Sequence, residues 1–310
     1  MRAARRAIAV LPGAVAVVLA VAGCSGSDDP EPAASVLGDD TLTVASFAFA
    51  ESEVLAEVYA QALQDAGIDT DVATGVGARE LIQPALASGL VELVPEYAGT
   101  AVDFLSLGET SPAGDIRVTR AALEELLRDE PVMLLASARA QDTNVVVVTR
   151  ETARRLDLAT ISDLAEVAGG LTFGGPPECP QRGFCLLGLE AAYHLRFERF
   201  VPLDAGGPLT HQALTGGHVD VGLLFSTDPG LAADDLVVLA DDLGVQPAEN
   251  VTPMVRREAV DRWGDTLTDT VDAVSARLTT EALVGLNAEM ADGRSPRAVA
   301  AEWLATEGLV

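Results

Sequence analysis

The amino-acid sequence predicts an α/β protein of two lobes that are joined by two crossings of the chain. From Thr41 onward, short apolar runs alternate with amphipathic stretches, which is the pattern of parallel α/β layers. About 270 residues follow the N-terminal segment, more than a single hydrophobic core usually supports. The two crossings are predicted near 143–149 and 247–255. The same pattern also fits two sequential domains, with the C-terminal tail packed on the second.

Residues 1–23 have the features of an export signal and not of the folded part. Three arginines precede an uncharged run over 7–22, and small residues lead into Cys24. The run is shorter than the roughly 20 apolar residues of a membrane-spanning helix. We therefore predict a cleaved signal peptide, a lipidated Cys24 and a flexible tether over 24–40, which is rich in Ser, Gly, Asp and Pro. The alternative is an uncleaved anchor helix with an incidental cysteine.

The first block has the pattern of a compact βαβαβ unit. Val54, Leu55 and Val58 fall at helical spacing, and Gly67 stands where a helix C-cap is expected. The predicted strands cover 42–47, 71–74 and 91–94, and the predicted helices cover 53–66, 79–88 and 115–129.

The second block begins with Asn144-Val145-Val146-Val147-Val148, a β-branched run typical of a strand buried on both faces. The remaining predicted strands cover 171–174, 219–225, 236–239 and, as a return strand, 250–255. The remaining predicted helices cover 152–156, 187–194, 257–278, 280–290 and 295–305. We therefore assign 41–143 and 250–310 to lobe one, and 144–249 to lobe two.

Charge and motif content exclude several functional classes. The formal net charge of −27 argues against nucleic acid or an anionic membrane face as a partner. The sequence contains no Gly-x-Ser-x-Gly, His-Glu-x-x-His or Walker pattern, and none of its 3 histidines stands beside an obvious nucleophile. We expect no enzymatic activity, no cofactor and no metal.

Cys179 and Cys185 lie close together in a stretch rich in Pro and Gly. In an exported protein, such a pair is expected to form a disulfide that closes a small loop. Free buried thiols are the alternative, whereas a metal site would need further ligands, because zinc usually takes four.

Six short strings resemble a known family. They are Gly77-Ala78-Arg79-Glu80, Pro95-Glu96-Tyr97-Ala98-Gly99-Thr100, Asp142-Thr143-Asn144, Gly174-Gly175-Pro176-Pro177-Glu178, Leu203-Asp204-Ala205-Gly206-Gly207-Pro208-Leu209-Thr210 and Phe225-Ser226-Thr227-Asp228. In this order, the chain resembles the substrate-binding proteins of osmoprotectant ABC transporters for glycine betaine, choline and carnitine, from about Thr41 to the C-terminus. The resemblance implies the bilobal type II periplasmic-binding fold, with the ligand between the lobes. It also supports lipid anchoring.

The chemistry of such a ligand defines what the site must contain. A quaternary ammonium has no N–H to donate, so aromatic faces hold it, each contributing about 0.5–2 kcal/mol once desolvated. The carboxylate of a betaine is held by Arg or by backbone amides. The site therefore needs an aromatic cage and an anchor, but no nucleophile.

The resemblance implies a cage of tyrosines. Tyr97 matches one cage position, and Thr100 follows one turn later as a polar contact. Three other positions where relatives often carry Tyr hold Asn144, His211 and Phe225. This more polar set favours a larger or partly N–H-bearing zwitterion, such as a histidine betaine, over glycine betaine itself.

The other candidate ligand-binding residues are Phe47, Arg182, Thr227 and Asp228. Phe47, together with Phe49, can replace part of the missing aromatic surface. Arg182 lies inside the predicted disulfide loop and is the candidate carboxylate anchor. The alternatives are a core role for the Phe side chains and a surface role for Arg182.

These features predict a lipid-anchored binding component of an ABC importer on the extracytoplasmic face of the bacterial cell membrane. Its partners would be a small zwitterion or quaternary ammonium and an ABC permease of the cytoplasmic membrane. The alternatives are a binding protein for another solute class, such as amino acids or polyamines, and a solute sensor that uses the same cleft.

Overall fold

A computed structural model describes residues 40–110, 114–233 and 235–310, with the side chains of 232 and 233 excluded. The predicted signal peptide over 1–23, the lipidated Cys24 and all but the last residue of the predicted tether lie outside the described residues. Among the described helices, none is both long and apolar enough to cross a membrane.

Ten strands form two mixed five-stranded sheets. In chain order they are β1 Leu42–Phe47, β2 Thr70–Gly77, β3 Leu93–Tyr97, β4 Val132–Leu134, β5 Asn144–Thr149, β6 Thr172–Gly175, β7 Arg199–Pro202, β8 Val221–Phe225, β9 Leu236–Val238 and β10 Val251–Arg256. The first sheet has the order β2-β1-β3-β10-β4, and the second has the order β7-β6-β8-β5-β9. In the first sheet β2, β1 and β3 run parallel, and β10 pairs antiparallel with β3 and β4. In the second sheet β7, β6 and β8 run parallel, and β5 pairs antiparallel with β8 and β9.

Eleven described helices cover the sheets. They are α1 Ala50–Asp65, α2 Arg79–Ser88, α3 Ala98–Leu105, α4 Ile116–Leu126, α5 Arg150–Leu156, α6 Leu186–Tyr193, α7 Pro208–Thr215, α8 Gly230–Ala233, α9 Arg257–Arg277, α10 Thr280–Ala291 and α11 Pro296–Glu307. Short 3₁₀ turns occur at Ser162–Glu166, Ala168–Gly170 and Cys179–Gln181.

β1 is an interior strand of the first sheet. Every residue of β1 is buried, because β2 and β3 flank it and α1 covers it. At the end of α1, Gly67 takes a φ of +89°, a left-handed conformation that glycine adopts without a Cβ penalty. The predicted helix C-cap at this glycine is confirmed to within one residue.

The C-terminal part of the chain returns to the first lobe. β10 inserts antiparallel between β3 and β4, and the three last helices share one hydrophobic core with β1 and α1. Leu267, Val271 and Leu304 are fully buried in that core. The predicted α/β fold class is confirmed, and the first sheet contains a strand from the C-terminal part of the chain.

The two crossings of the chain lie side by side. Gln141 and Asn250 form an antiparallel bridge, and the backbone N–H of Asp142 donates to the carbonyl of Glu249 at 3.1 Å. Each crossing therefore carries a carboxylic acid into the region between the lobes.

Five of the described strands and helices were not predicted from the sequence: β4, β7, α3, α7 and the four-residue α8. β4 and β7 have 3 and 4 residues and lie at sheet edges, where the hydrophobic pattern is weakest. α3 follows β3 directly and begins with a Gly-Thr pair that is typical of a turn. Gly99 is needed there because an added Cβ would lie 2.4 Å from Cγ of Pro247. α7 begins at a Gly-Gly-Pro sequence, which is also typical of a loop.

Candidate ligand site

A cavity of about 330 Å³ lies between the lobes, within the size range of small-molecule sites. Its walls come from segments that follow β1, β2 and β3 in lobe one, and from the β6–α6 loop, the loop after β7 and the end of β8 in lobe two. The lining residues include Phe47, Phe49, Arg79, Tyr97, Thr100, Asp103, Asp142, Asn144, Glu178, Arg182, Phe184, Asp204, Phe225 and Glu249.

Four aromatic side chains form a cluster on this cavity. The ring centroid of Phe49 lies 6.1 Å from that of Phe47, 5.9 Å from that of Tyr97 and 5.3 Å from that of Phe225. Phe225 comes from lobe two, and the other three rings come from lobe one. Gly206 makes room for Phe225, because it has a φ of +66° and an added Cβ would lie 2.6 Å from the Phe225 ring. Such ring faces attract a desolvated cation.

A buried carboxyl group holds the Tyr97 ring in place. The Tyr97 hydroxyl donates to Oε1 of Glu51 at 2.7 Å. Oε2 of Glu51 accepts from the Thr227 hydroxyl at 2.6 Å and from Nδ2 of Asn287 at 2.7 Å. Because Thr227 belongs to lobe two, Glu51 connects the lobes behind the aromatic cluster.

Asp142 is a second buried carboxyl group beside Glu51. Its Oδ1 accepts from the backbone N–H of Thr227 at 3.1 Å and from the Ser226 hydroxyl at 3.3 Å. Burial raises the pKa of Asp142 well above its usual range, and the neighbouring Glu51 carboxylate raises it further. Burial also raises the pKa of Glu51, against the opposing effect of the hydrogen bonds that Thr227 and Tyr97 donate.

A third group of charges braces lobe one behind Thr100. Arg79 pairs with the fully buried Glu96 at 2.7 Å, donates to the Thr100 hydroxyl, and places its guanidinium 5.0 Å from the centroid of Phe47. Glu249 accepts from the backbone N–H groups of Gly99 at 3.1 Å and Thr100 at 2.9 Å. Burial raises the pKa of Glu249 to about 8, although Arg79 acts in the opposite direction.

Arg182 reaches the cavity from lobe two and contacts lobe one. Its Nη2 donates to both carboxylate oxygens of Glu80, at 2.7 and 2.9 Å, and its guanidinium lies 5.4 Å from the ring centroid of Phe104. In the structure Cys179 and Cys185 form a disulfide with Cα atoms 5.2 Å apart, which closes the loop that carries Arg182. Both cysteines are buried in the core of lobe two.

Asn144 lines the cavity but uses its amide to support a neighbour. Its Nδ2 donates to the carbonyl of Phe184 at 3.1 Å, and Nε2 of Gln246 donates to the same oxygen at 3.2 Å. The two amides fix the segment that presents the Phe184 side chain to the cavity.

The structure therefore divides the sequence-predicted residues between two spaces. Six of them line the cavity: Phe47, Tyr97, Thr100, Asn144, Arg182 and Phe225. The other three, His211, Thr227 and Asp228, line an adjoining groove of about 630 Å³. Phe49 and Phe225 also border this groove. In that groove Nε2 of His211 lies 2.7 Å from Oδ2 of Asp228.

Several site residues were not singled out from the sequence. Glu51 stands in the first turn of a helix, where an acidic residue is expected for the helix dipole alone. Phe184 follows the Arg-Gly of the disulfide loop, and no periodic pattern marks it. Asp142 was part of a recognised string, but no sequence signal indicated that it would lie beside Glu51.

Comparison with known proteins places this geometry in a family. Residues 40–306 match the family described as the substrate binding domain of ABC-type glycine betaine transport systems. A glycine-betaine-binding protein of Pseudomonas aeruginosa is 30% identical over 88% of this chain and 89% of its own length. A Helicobacter pylori protein named as an ergothioneine transport permease and binding protein is 25% identical over 89% of this chain and 49% of its own length.

A solved structure has a similar fold. The crystal structure of a protein named for a glycine betaine/carnitine/choline ABC transporter superposes with a TM-score of 0.68, at 25% identity, over 86% of this chain and 99% of that chain. The family match spans both lobes and the cavity between them. The chain therefore belongs to the family of substrate-binding domains of ABC-type glycine betaine transport systems.

Proposed function

We propose that this protein binds a small quaternary-ammonium solute, of the glycine betaine, choline or carnitine type, for an ABC importer. The observation that supports the proposal most strongly is the cluster of Phe47, Phe49, Tyr97 and Phe225 on a cavity between the lobes. A ring cluster that both lobes complete gives a cation contacts that exist fully only when the lobes are closed. Binding and closure would then be linked.

In this proposal, lobe one comprises 41–143 and 250–310, and lobe two comprises 144–249. The start of β5 at Asn144 and the bridge between Gln141 and Asn250 support hinges near these boundaries. Glu51 with Thr227, and Arg182 with Glu80, are the contacts that would form as the lobes approach.

Arg182 is the proposed anchor of a ligand carboxylate. Its Nη2 is committed to Glu80, whereas among the described residues its Nε and Nη1 make no hydrogen bond. Arg79, by contrast, commits both Nε and Nη2 to lobe one. Each of these two donors can give one charge-assisted hydrogen bond to a carboxylate oxygen.

Calorimetric titration with a solute panel tests the proposal. Glycine betaine, choline or carnitine should bind, whereas proline, arginine and spermidine should compete poorly. Preferential binding of an amino acid or a polyamine would contradict it.

A histidine betaine is the second candidate ligand. The ergothioneine-binding relative and the polar groups of Thr100, Asp103 and Asn144 along the cavity favour it. Adding ergothioneine to the panel separates the two candidates, since it carries both the trimethylammonium group and a ring with an N–H.

The proposed protein acts outside the cell membrane, attached through a lipid on Cys24 and delivering its ligand to an ABC permease. The Val21-Ala22-Gly23-Cys24 string supports this placement. Replacing Cys24→Ala should release the protein from membranes, and a Cys24→Ala protein that stays membrane-bound after alkaline washing would contradict lipid anchoring.

A further inference from the structure

Two buried carboxyl groups adjoin the aromatic cluster, although a cage of rings alone would suffice to hold a quaternary ammonium. Glu51 is 4% exposed and Asp142 is 6% exposed. In the described part of the chain, neither forms an ion pair with an Arg or His side chain. A carboxylate buried without a cation is costly, so two adjacent ones need either a proton or a positive ligand.

The hydrogen bonds of the pair leave one carboxyl oxygen as the place for a proton. Both oxygens of Glu51 accept from donors, namely Tyr97 on Oε1 and Thr227 with Asn287 on Oε2. Both donors to Asp142 reach Oδ1. Neither donor reaches Oδ2 of Asp142. A proton on that oxygen would leave these hydrogen bonds in place and would leave the negative charge of the pair on Glu51.

Asp142 and Tyr97 line the same cavity, and Glu51 binds the Tyr97 hydroxyl. A cation seated on the rings therefore lies close to both carboxyl groups in a poorly solvated space, where the attraction between opposite charges is stronger than in water. The attraction favours the doubly ionised pair over the singly protonated one.

We propose that Glu51 and Asp142 are the counter-charge of the ligand's cationic head, and that Asp142 releases its proton to solvent when the head binds. The proton bound to Oδ2 passes to the buffer, and the positive charge of the ligand replaces it. This inference rests on the proposed function, because it needs a cationic ligand on the aromatic cluster. It makes the pair a determinant of specificity for cations over isosteric neutral solutes.

Other ionisable groups surround the pair and set the background charge. On the cavity side and behind the sheet they are Tyr97, Glu96, Arg79 and Glu249, and on the groove side they are Glu53, Asp204, His211 and Asp228. Arg79 is already paired with Glu96, and Asp204 caps α7 by accepting from the backbone N–H groups of Leu209 and Thr210.

Calorimetric titration with choline, in two buffers of different ionisation enthalpy at the same pH, measures the proton release directly. We expect about one proton released per choline bound, and an affinity that rises by up to about tenfold per pH unit while the release lasts. The Asp142→Asn variant should still bind choline but release no proton, with an affinity that no longer depends on pH.

Glu57→Gln is the matched control. Glu57 lies on the same helix as Glu51, is 9% exposed, and accepts from Gln61 away from the cavity. It should bind choline and release protons as the parent protein does. If Asp142→Asn does not fold, Glu249→Gln replaces it, because Glu249 lines the same cavity and burial raises its pKa to about 8. Loss of the proton release in Glu249→Gln would assign the proton to Glu249 and overturn the inference.

Two further results would overturn the inference while leaving the proposed function intact. One is choline binding by the parent protein without buffer-dependent heat at any pH between 5 and 9. The other is undiminished proton release by a folded Asp142→Asn protein. Failure of choline and every other quaternary ammonium to bind would instead overturn the proposed function, and this inference with it.

Discussion

The hydroxyl of Tyr97 donates a hydrogen bond to Oε1 of Glu51 at 2.7 Å, although 46 residues separate the two in the chain. This contact fixes the ring of Tyr97 at the edge of the cavity and places a buried carboxyl group directly behind it. The aromatic cluster and the buried acids are therefore parts of one arrangement.

Substituting Tyr97 separates the role of its ring from that of its hydroxyl. Tyr97→Ala should weaken binding of a quaternary ammonium by roughly 1–2 kcal/mol, about five- to thirtyfold in Kd. Tyr97→Phe should keep most of the affinity, because the ring remains, but should destabilise the fold by about 1–3 kcal/mol, because Glu51 loses a donor. Calorimetry and thermal denaturation measure the two effects. Unchanged binding by Tyr97→Ala would place the ligand elsewhere.

The two cavity arginines should respond differently to the ligand's carboxylate. Arg182→Gln should weaken glycine betaine roughly ten- to a hundredfold, the value of a charged hydrogen bond, and leave choline nearly unchanged. Arg79→Gln should instead lower stability by about 3–5 kcal/mol, because it leaves Glu96 buried without its cation. An equal loss of choline and glycine betaine affinity in Arg182→Gln would assign it a role in lobe closure and not in carboxylate binding.

The Cys179–Cys185 disulfide should matter for both stability and binding. Replacing both cysteines by Ser should destabilise the fold by about 2 kcal/mol, the loop-entropy value for a ring of this size. It should also weaken binding of glycine betaine, because the loop that positions Arg182 loosens. Mass spectrometry of the unreduced, alkylated protein should show one linked peptide pair. Quantitative alkylation of both thiols before reduction would rule the bond out.

The buried Glu249 should make the fold less stable as the pH rises. Its folded pKa of about 8 lies above that of an exposed Glu, so the folded state binds more protons than the unfolded state between these values. The resulting stabilisation is present at pH 4 and is lost progressively as the pH rises toward 8. Thermal melts at pH 5, 6.5 and 8 should show a falling Tm, and Glu249→Gln should flatten this slope. A slope that is identical in the variant would assign the pH dependence to other groups.

The elements with strong local signals were predictable from the sequence. β1 and α2 have the predicted bounds. The continuous buried apolar run defines both ends of β1, and Gly89 ends α2. Tyr97, Thr100 and Phe225 reach the cavity as their family strings implied. The edge strands β4 and β7 were missed, and so were α3 and α7, which have glycine in or just before their first turn, because none of the four has a periodic pattern.

The buried acid network was out of reach of sequence reasoning. Glu51 meets Thr227 and Asn287 across separations of 176 and 236 residues, and each of the three has an ordinary local role as a helix-start acid, a loop Thr or a surface amide. Their meeting depends on how the two lobes and the C-terminal helices come together. His211 lines the adjoining groove together with Phe49 and Phe225, and its predicted contact with a ligand stays a prediction.

The central claim is that the aromatic cluster and its buried acids recognise a positive charge. Titration with choline and with 3,3-dimethyl-1-butanol, its uncharged carbon isostere, tests this most directly, because the two solutes share one shape. Choline should bind at least about tenfold more tightly, as expected for desolvated cation–π contacts that sum over several rings. Equal affinity for the two solutes would show that the cavity selects shape alone, and would contradict the account.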